Sequence, residues 1–561
     1  KMRKYHSEQF GEGYIPISKD EPDSRAKRIT EYLNLVNRIV NFQTEQLKHL
    51  EFESGSELDK YFMMLPENSA VRLRYLKMLV ETDLNEKKNQ QADLRGLIKS
   101  GSIDVNIMSK VDRTNYDKDG IELPPEYSDA LSSLRGFALS ELNSAVVFSA
   151  GYNPRLYAYI ENFSDFFPDA NGNLKKKIIL KVSDYRSAIV QGKILAKKGL
   201  WISEFRIESG LNCGGHAFAT DGVLMGPILE EFKQRKNEII NELFEICNAV
   251  LLKKEGHVFH NIPEMKITVQ GGIGTHNEDA FLLDYYQVNG TGWGSPFLLV
   301  PEVTNVDDDT LHQLETAKQS DYYLSNASPL GIPFNNLRNS SGDVDRKLKI
   351  DKGRPGSPCY KKFLSSNTEF TPLPICTASR QYEDLKIKQL KNLQLSDMEF
   401  EKEMKEITAK ECLCEGLGAS ALLKNEIPVD HGLKAVSICP GPNLAYFSGI
   451  FTLQQMVDHI YGRINLLNKI KRPNMFVNEL KLYVDYLNNE IQKNLKVVSD
   501  KQNRYYDSFK SNLLKGIEYY KNLSQEFRHE TEEYISEFKS NLLNLEAEIL
   551  KMQMPQPLLA I

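Results

Sequence analysis

Short apolar segments alternate with longer amphipathic segments between residues 100 and 300, and this alternation limits the possible folds of the chain more than any other feature. The apolar segments are typical of strands buried on both faces. Stretches with helical spacing, such as residues 185–198 and 227–253, lie between them. This order predicts a parallel sheet covered by helices, which is the α/β class. In such sheets the functional groups belong at the carboxyl ends of the strands.

The composition fits a globular protein and argues against several functional classes. The chain has 561 residues, of which 41% are hydrophobic and 26% charged, with a net charge of -6. This charge gives no reason to expect nucleic acid or an anionic membrane as a partner. No apolar run is long enough to span a bilayer. Seven cysteines are too few for a disulfide scaffold, so we expect free or metal-bound thiols in a reducing cytoplasm.

The sequence pattern divides the chain into four regions. Residues 1–95 have helical periodicity and predict an N-terminal extension. Residues 96–335 hold the alternation, residues 336–450 look irregular, and residues 451–561 turn helical again. The last region carries an apolar stripe made of Tyr506, Phe509, Leu513, Ile517, Tyr520, Phe527, Tyr534, Phe538, Leu542 and Ile549. This stripe can pack on its own chain or pair with a second subunit, so a homo-oligomer through the C-terminal helices stays open.

Two consecutive predicted strands end in glycine loops. Gly271, Gly272 and Gly274 lie between a strand and a predicted helix, and Gly294 and Ser295 repeat the pattern one strand later. Glycine N–H groups beside a helix N-terminus form an anion site that suits a phosphate. The two loops together predict a phosphate-binding site at one edge of the sheet.

Three polar residues stand at other predicted strand ends. His216 follows Gly214 and Gly215. An isolated histidine is more often structural, but this one is predicted on the same edge as the glycine loops, so we interpret it as a proton-transfer group. Asn106 and Lys181 are amide and ammonium groups of the kind that suit the polar edge of a flavin ring. Taken alone, each of these two is more often an ordinary loop or surface residue.

Five short motifs occur in a fixed order between residues 104 and 297. They are Asp-Val-Asn at 104–106, Val-Phe-Ser-Ala-Gly at 147–151, Lys-Val-Ser at 181–183, Cys-Gly-Gly-His at 213–216, and the pair Gly-Gly-Ile at 271–273 and Gly-Ser-Pro-Phe at 294–297. In this order they resemble the nitronate monooxygenase family, also called 2-nitropropane dioxygenase-like, of FMN-dependent TIM barrels. Ala-Ser-Pro-Leu-Gly-Ile-Pro-Phe at 327–334 and Cys-Leu-Cys at 412–414 resemble a longer branch of that family.

The resemblance implies a fold and a set of site residues. The fold is an FMN-binding TIM (β/α)8 barrel over residues 96–335, with a helical N-terminal extension and a mixed, largely helical C-terminal region. His216 would be the catalytic base or proton shuttle. The implied FMN contacts are Asn106, Lys181, Gly215, Gly271, Gly272, Gly294 and Ser295. The pattern of the glycine loop adds Gly274 to this set. The chain departs from the family pattern at Cys213 and Pro296, and residues 1–95 show no clear counterpart of the first two barrel strands.

These features predict an FMN-dependent oxidoreductase that acts on a small carbon acid. His216 would move a proton at the carbon, and the electrons would pass through FMN to O2 or another acceptor. One alternative is an NAD(P)H-dependent enoyl-thioester reductase of the same family. The other alternative is a non-catalytic barrel subunit that long C-terminal helices hold in a larger assembly.

Most of the cysteines follow the predicted barrel. Cys359, Cys376, Cys412 and Cys414 lie in the irregular region, the last two as a tight pair. Four such thiolates suit zinc or an iron–sulfur cluster. Their spacing matches no recognised metal pattern, and free buried thiols are the commoner case.

Overall fold

The first region of the chain is helical. The computed structural model describes residues 1–117, 119–149, 151–212, 221–493, 499–528 and 530–553. The first five helices are α1 (Met2–Gln9), α2 (Ser24–His49), α3 (Glu57–Met63), α4 (Ala70–Leu79) and α5 (Leu84–Leu97). Part of this region encloses a small core of its own around Phe62, Tyr75 and Met78. The predicted helical character of residues 1–95 is therefore confirmed, and these residues supply no strand.

A six-stranded sheet forms the centre of the molecule. Its strands are β1 (Val105–Met108), β2 (Ser144–Ser149), β3 (Lys176–Val182), β4 (Ile202–Glu208), β5 (Lys266–Gln270) and β6 (Gly290–Gly292). All neighbours pair in parallel and the strand order follows the chain. The helices between them are α6 (Asp129–Ala138), α7 (Pro154–Tyr159), α8 (Tyr185–Ala196), α9 (Met225–Lys253) and α10 (His276–Asp284). The predicted α/β class is confirmed.

The order of the strands never reverses. Right-handed crossovers that all advance in the same direction place their helices on one face of a sheet. The last strand, β6, is the shortest of the six and consists of three residues.

The two faces of the sheet differ in polarity. One face is apolar and packs against the helices through residues such as Val146, Leu180, Phe205 and Val269. The other face, called the polar face below, carries the alternate side chains. Ala145, Val147 and Ile179 occupy part of it, and its polar residues include Lys181, Glu204, Arg206, Glu208, Thr268 and Gln270. The sequence pattern predicts strands that are apolar throughout, and the structure differs. Of the six strands, only β2 is buried along its whole length.

Residues 336–450 are more regular than their composition predicts. The elements from 300 to 460 are α11 (Asp308–Thr316), the antiparallel hairpin of β7 (Tyr322–Ser325) and β8 (Phe334–Leu337), α12 (Ser341–Asp351), α13 (Arg380–Lys391), α14 (Asp397–Thr408), α15 (Leu413–Lys424) and α16 (Leu453–Ile460). Serine side chains cap α12, α13 and α14, at Ser340, Ser379 and Ser396. These caps are the local signals that start helices within a Pro- and Gly-rich segment.

Part of this later region meets the polar face. A cavity of about 370 Å³ is lined by Met108 of β1, by Leu298 after β6 and by residues of α15 and of the segment 436–439. Elements from beyond the sheet therefore reach the side where β1 and the segment after β6 lie.

Three long helices complete the main core. They are α17 (Met475–Lys493), α18 (Asp500–Leu523) and α19 (Glu532–Lys551). Phe509, Ile517 and Phe538 of the predicted stripe are buried in the same core as the sheet. The stripe thus packs on its own chain, and a homo-oligomer remains a prediction. None of the helices in the described ranges combines the length and the apolar character needed to cross a membrane.

Candidate active site

Glu208, the last residue of β4, gathers polar side chains from both neighbouring strands. The Nζ atom of Lys181 on β3 lies 2.6 Å from Glu208 Oε1. The side-chain amide of Asn212 donates to the same oxygen at 2.6 Å, and that of Gln270 at the end of β5 also donates to it. Lys181 therefore lies near the carboxyl edge of the sheet, as the sequence predicts. It is paired there with a carboxylate that no motif marks.

A second polar network lies deeper on the polar face. Glu204 is only 8% exposed. Its Oε1 accepts a hydrogen bond from Arg206 Nε at 2.8 Å and another from Thr268 Oγ1 at 2.6 Å. Each carboxylate on this face thus has a cationic neighbour, which compensates the desolvation of both charges. The acidic and basic side chains of the polar face are therefore paired with one another.

Asn106 does not lie at a strand end. It is the second residue of β1, pairs in register with Val147, and its side chain is exposed. The predicted position is therefore wrong, because the strand continues for two residues beyond the asparagine. The residue does belong to the polar face, opposite a buried valine.

Gly271 and Gly272 have positive φ values of 105° and 81°. A Cβ atom at Gly271 would lie 3.0 Å from the backbone nitrogen of Asn212, and one at Gly272 would lie 2.5 Å from the Leu211 side chain. The segments that follow β4 and β5 therefore touch each other here. Glycine is required by both the backbone conformation and this close approach.

The N–H group of Gly274 binds a carboxylate of its own chain. It donates to Glu278 Oε2 at 2.9 Å, near the beginning of α10. Glu278 Oε1 lies 2.7 Å from Arg472 Nη1 and accepts the N–H of Met475 at 2.7 Å. The two charged side chains are 3% and 2% exposed. The anion beside this helix N-terminus is thus an internal glutamate, and the Gly274 amide is already satisfied.

The other predicted phosphate loop lies between β6 and a short 3-10 helix. Gly294 precedes that helix, Ser295–Leu299, and Ser295 is 6% exposed. The side chains of Thr291 and Trp293 donate hydrogen bonds to Asp279 of α10, the latter at 3.4 Å. Burial raises the pKa of Asp279, and these hydrogen bonds oppose the shift. This contact fixes β6 relative to α10.

A pocket of about 780 Å³ opens beside the carboxyl ends of β4 and β5. The β7–β8 hairpin and α17 form two of its walls, and Leu211 belongs to its lining. Asn335 donates to the carbonyl of Asn212 at 3.3 Å, and Asn443 donates to that of Ile273 at 2.9 Å, so the walls are tied to both strand ends. The hydroxyl of Tyr322, which lines the pocket, has no hydrogen-bond partner among the described residues.

Three predicted residues lie outside the described ranges. Cys213, Gly215 and His216 belong to residues 213–220. The proton-transfer role of His216 and the cofactor contact of Gly215 therefore stay predictions.

The four cysteines of the later region lie near one another. Cys359 and Cys376 share a hydrogen bond, which is the main cause that lowers the pKa of the Cys359 thiol to about 6. The thiols of Cys412 and Cys414 interact electrostatically with Cys359. In the described part of the chain, no three His, Cys, Asp or Glu residues form a group that can hold a metal ion. The predicted zinc or iron–sulfur site therefore gains no support from this geometry.

Several residues of the polar face and of the strand ends carry no sequence motif. Glu204, Arg206 and Glu208 do have a visible signal, which is their period-two spacing along a strand that ends at the glycine-rich stretch. Arg472 has none, because its partner Glu278 lies almost two hundred residues earlier.

The fold and the site together define an α/β protein with polar groups and a pocket of about 780 Å³ at the carboxyl ends of a parallel sheet. No protein-family model matches the chain, and no curated protein matches it. Among solved structures it is similar to the enoyl reductase domain of MlnA from the macrolactin biosynthesis cluster of Bacillus amyloliquefaciens. The identity is 13%, the TM-score is 0.35, and the match covers 68% of this chain and 84% of that chain. A likeness at this level assigns neither a fold family nor an activity.

Proposed function

We propose that this chain is an FMN-dependent oxidoreductase whose six-stranded sheet is part of a (β/α)8-type barrel. The observation that carries the proposal is the combination of an uninterrupted strand order with polar groups at the carboxyl ends. Parallel strands that follow the chain order, with helices on one face, are the arrangement from which such barrels are built. In that arrangement the polar face would be the interior.

The residues at this edge fit a flavin in part. Lys181 and the side-chain amide of Gln270 are donors that suit the polar edge of the ring. Gly271 and Gly272 have no side chains of their own beside their amides, which suits a phosphate. Gly294 and Ser295 would complete the phosphate contacts. Gly274 is left out of this set, because its N–H donates to Glu278.

FMN, when bound, supplies a two-electron acceptor for the reaction. The chain would supply the remaining functions. His216 would take or give the proton at an acidic carbon, and the pocket beside Leu211 would hold the substrate. The substrate class is a small carbon acid such as a nitronate, with O2 or another molecule as the final acceptor.

The visible spectrum of the purified protein tests the cofactor directly. We expect the protein to show flavin absorbance, and we expect denaturation to release free FMN. A colourless protein that stays colourless after FMN is added would contradict the proposal.

The variant His216→Ala tests the proton transfer. We expect it to retain bound flavin and to lose at least about a hundredfold in turnover of carbon acids, which is the usual size of a general-base contribution. The exposed His260 offers a matched control, and His260→Ala should behave as wild type. Full turnover in His216→Ala would show that the histidine is structural.

The length of the pocket favours a larger substrate as a variation on this function. Residues of α17 from Asn478 to Glu490 line it, which corresponds to about 18 Å of helix. An NAD(P)H-dependent reductase acting on an enoyl thioester would use such length. Rapid bleaching of bound flavin by NADPH without oxygen would select this reaction over an oxidase.

A non-catalytic barrel subunit is the second candidate. Its support is that the chain places its own carboxylates where cofactor groups are predicted, with Glu208 on Lys181 and Glu278 on Gly274. A protein that binds no flavin but co-purifies in a stable larger assembly would establish this candidate.

A further inference from the structure

A buried glutamate of α17 lies against the end of β4. Glu479 is 2% exposed and accepts a hydrogen bond from the hydroxyl of Ser209. The adjacent Gly210 N–H donates to the hydroxyl of Tyr483, and this hydroxyl in turn donates to Glu479. The end of the strand is thus held by one direct hydrogen bond and one that passes through a tyrosine.

The same carboxylate holds the beginning of α9. The N–H of Met225 donates to Glu479 Oε2 at 2.9 Å. The N–H of Gly226 donates to the hydroxyl of Tyr520 on α18 at 3.1 Å, and this hydroxyl also donates to Glu479. The first residues of a helix have N–H groups without intrahelical partners. Both contacts therefore satisfy N–H groups that α9 itself leaves unpaired.

The fit at both ends is tight. A Cβ atom at Gly210 would lie 2.7 Å from the ring of Tyr483, and one at Gly226 would overlap the ring of Tyr520. The N–H of Met225 and the hydroxyls of Ser209, Tyr483 and Tyr520 interact with the carboxylate and offset part of the cost of its burial. Each end of the connection between β4 and α9 therefore has one direct link to Glu479 and one link through a tyrosine.

We propose that Glu479, Tyr483 and Tyr520 form a clamp that fixes the distance between the end of β4 and the beginning of α9. The clamp holds the described ends of the connection between β4 and α9, and His216 belongs to this connection in the sequence. Its three members are positioning residues, since they act through that connection and not on a substrate. The catalytic meaning of the clamp rests on the proposed function, whereas its structural action does not.

Two points favour a positioning role over ordinary core packing. Glu479 binds both ends of one connection at once, although Ser209 and Met225 are 16 positions apart in the sequence. On the same helix, Asn478 and Leu482 line the 780 Å³ pocket. The helix α17 therefore holds the connection with one set of side chains and contributes to the pocket with another.

Hydrogen exchange measured by mass spectrometry on the full chain tests the clamp without reference to activity. In Tyr520→Phe we expect peptides that cover Met225 and Gly226 to exchange about tenfold faster, because one hydrogen bond at the helix start is lost. Peptides of β2 and β3 should keep their wild-type rates. Tyr506→Phe is the matched control on the same helix, since the hydroxyl of Tyr506 donates to the carbonyl of Glu490 at 3.3 Å.

A second set of variants keeps the test decisive if Tyr520→Phe does not fold. Tyr483→Phe should accelerate exchange at Gly210, and Glu479→Gln should do so at both ends. Wild-type exchange at these amides in every variant would overturn the clamp, and so would an equal acceleration throughout the chain.

Steady-state kinetics then connect the clamp to the proposed chemistry. If flavin is bound, Tyr520→Phe should lower kcat by about tenfold or more at nearly unchanged KM, because misplacing a reacting group affects the chemical step. An unchanged kcat together with faster local exchange would remove the positioning role. If no flavin is bound, the proposed function fails, and the exchange data still decide whether the clamp exists.

Discussion

The ends of β4 and β5 are both held by a buried glutamate, but the two glutamates have different partners. Each is followed by a glycine-rich connection to a helix, and each has a buried glutamate that accepts backbone N–H groups, Glu479 in one case and Glu278 in the other. Glu278 has Arg472 as a cationic partner. Glu479 has hydroxyl and amide donors only among its named partners, and burial raises its pKa to about 7. The connection after β5 is thus held by an ion pair, and the connection after β4 by a carboxyl group that can titrate near neutral pH.

The ion pair should show the largest effect when it is broken. Arg472→Met leaves the Glu278 carboxylate buried without its charge partner, so we expect a loss of about 3–5 kcal/mol in the free energy of unfolding. Denaturant titration measures this loss. The double variant with Glu278→Gln should recover part of it, because the unpaired charge is removed. Equal losses in the single and the double variant would show that the pair contributes by packing alone.

The titratable site should show a smaller and pH-dependent effect. Because the folded pKa of Glu479 is raised above its ordinary value of 4.5 to about 7, the folded state binds more protons than the unfolded state between these values. The free energy of unfolding of the wild type should therefore fall as pH rises through this window, by up to about 3 kcal/mol. Glu479→Gln should lack this part of the slope. Denaturant titrations of both proteins at pH 5 and pH 8 measure it, and parallel pH profiles would contradict the assignment.

The partly exposed pair on the polar face should show the smallest effect. Lys181 and Glu208 are 16% and 26% exposed, so solvent screens the unpaired charge in Lys181→Met. We expect a loss of about 1 kcal/mol in stability, together with weaker binding of FMN if the flavin contacts this edge. Equilibrium titration with FMN measures the second part. An unchanged affinity would place the ring elsewhere.

The sequence predicts the framework of the fold well and the site only in outline. The helices of residues 1–95 and the parallel sheet follow from local periodicity, and Lys181 and the glycines lie at the predicted edge. The apolar pattern misplaces Asn106, because it does not show where a strand ends. The helices within residues 336–450 were missed, because serine caps are weaker signals than the prolines and glycines around them.

The amino-acid order alone determined the alternation of strands and helices and the use of glycine after β5, since both depend on the conformational preferences of neighbouring residues. Only the tertiary structure decided which groups satisfy those strand ends. Arg472, Glu479 and Tyr520 reach them from the C-terminal helices and the segment before them. A hydrogen bond between residues that lie hundreds of positions apart leaves no periodic trace in the sequence, because it depends on how the packed helices bring those side chains to the sheet.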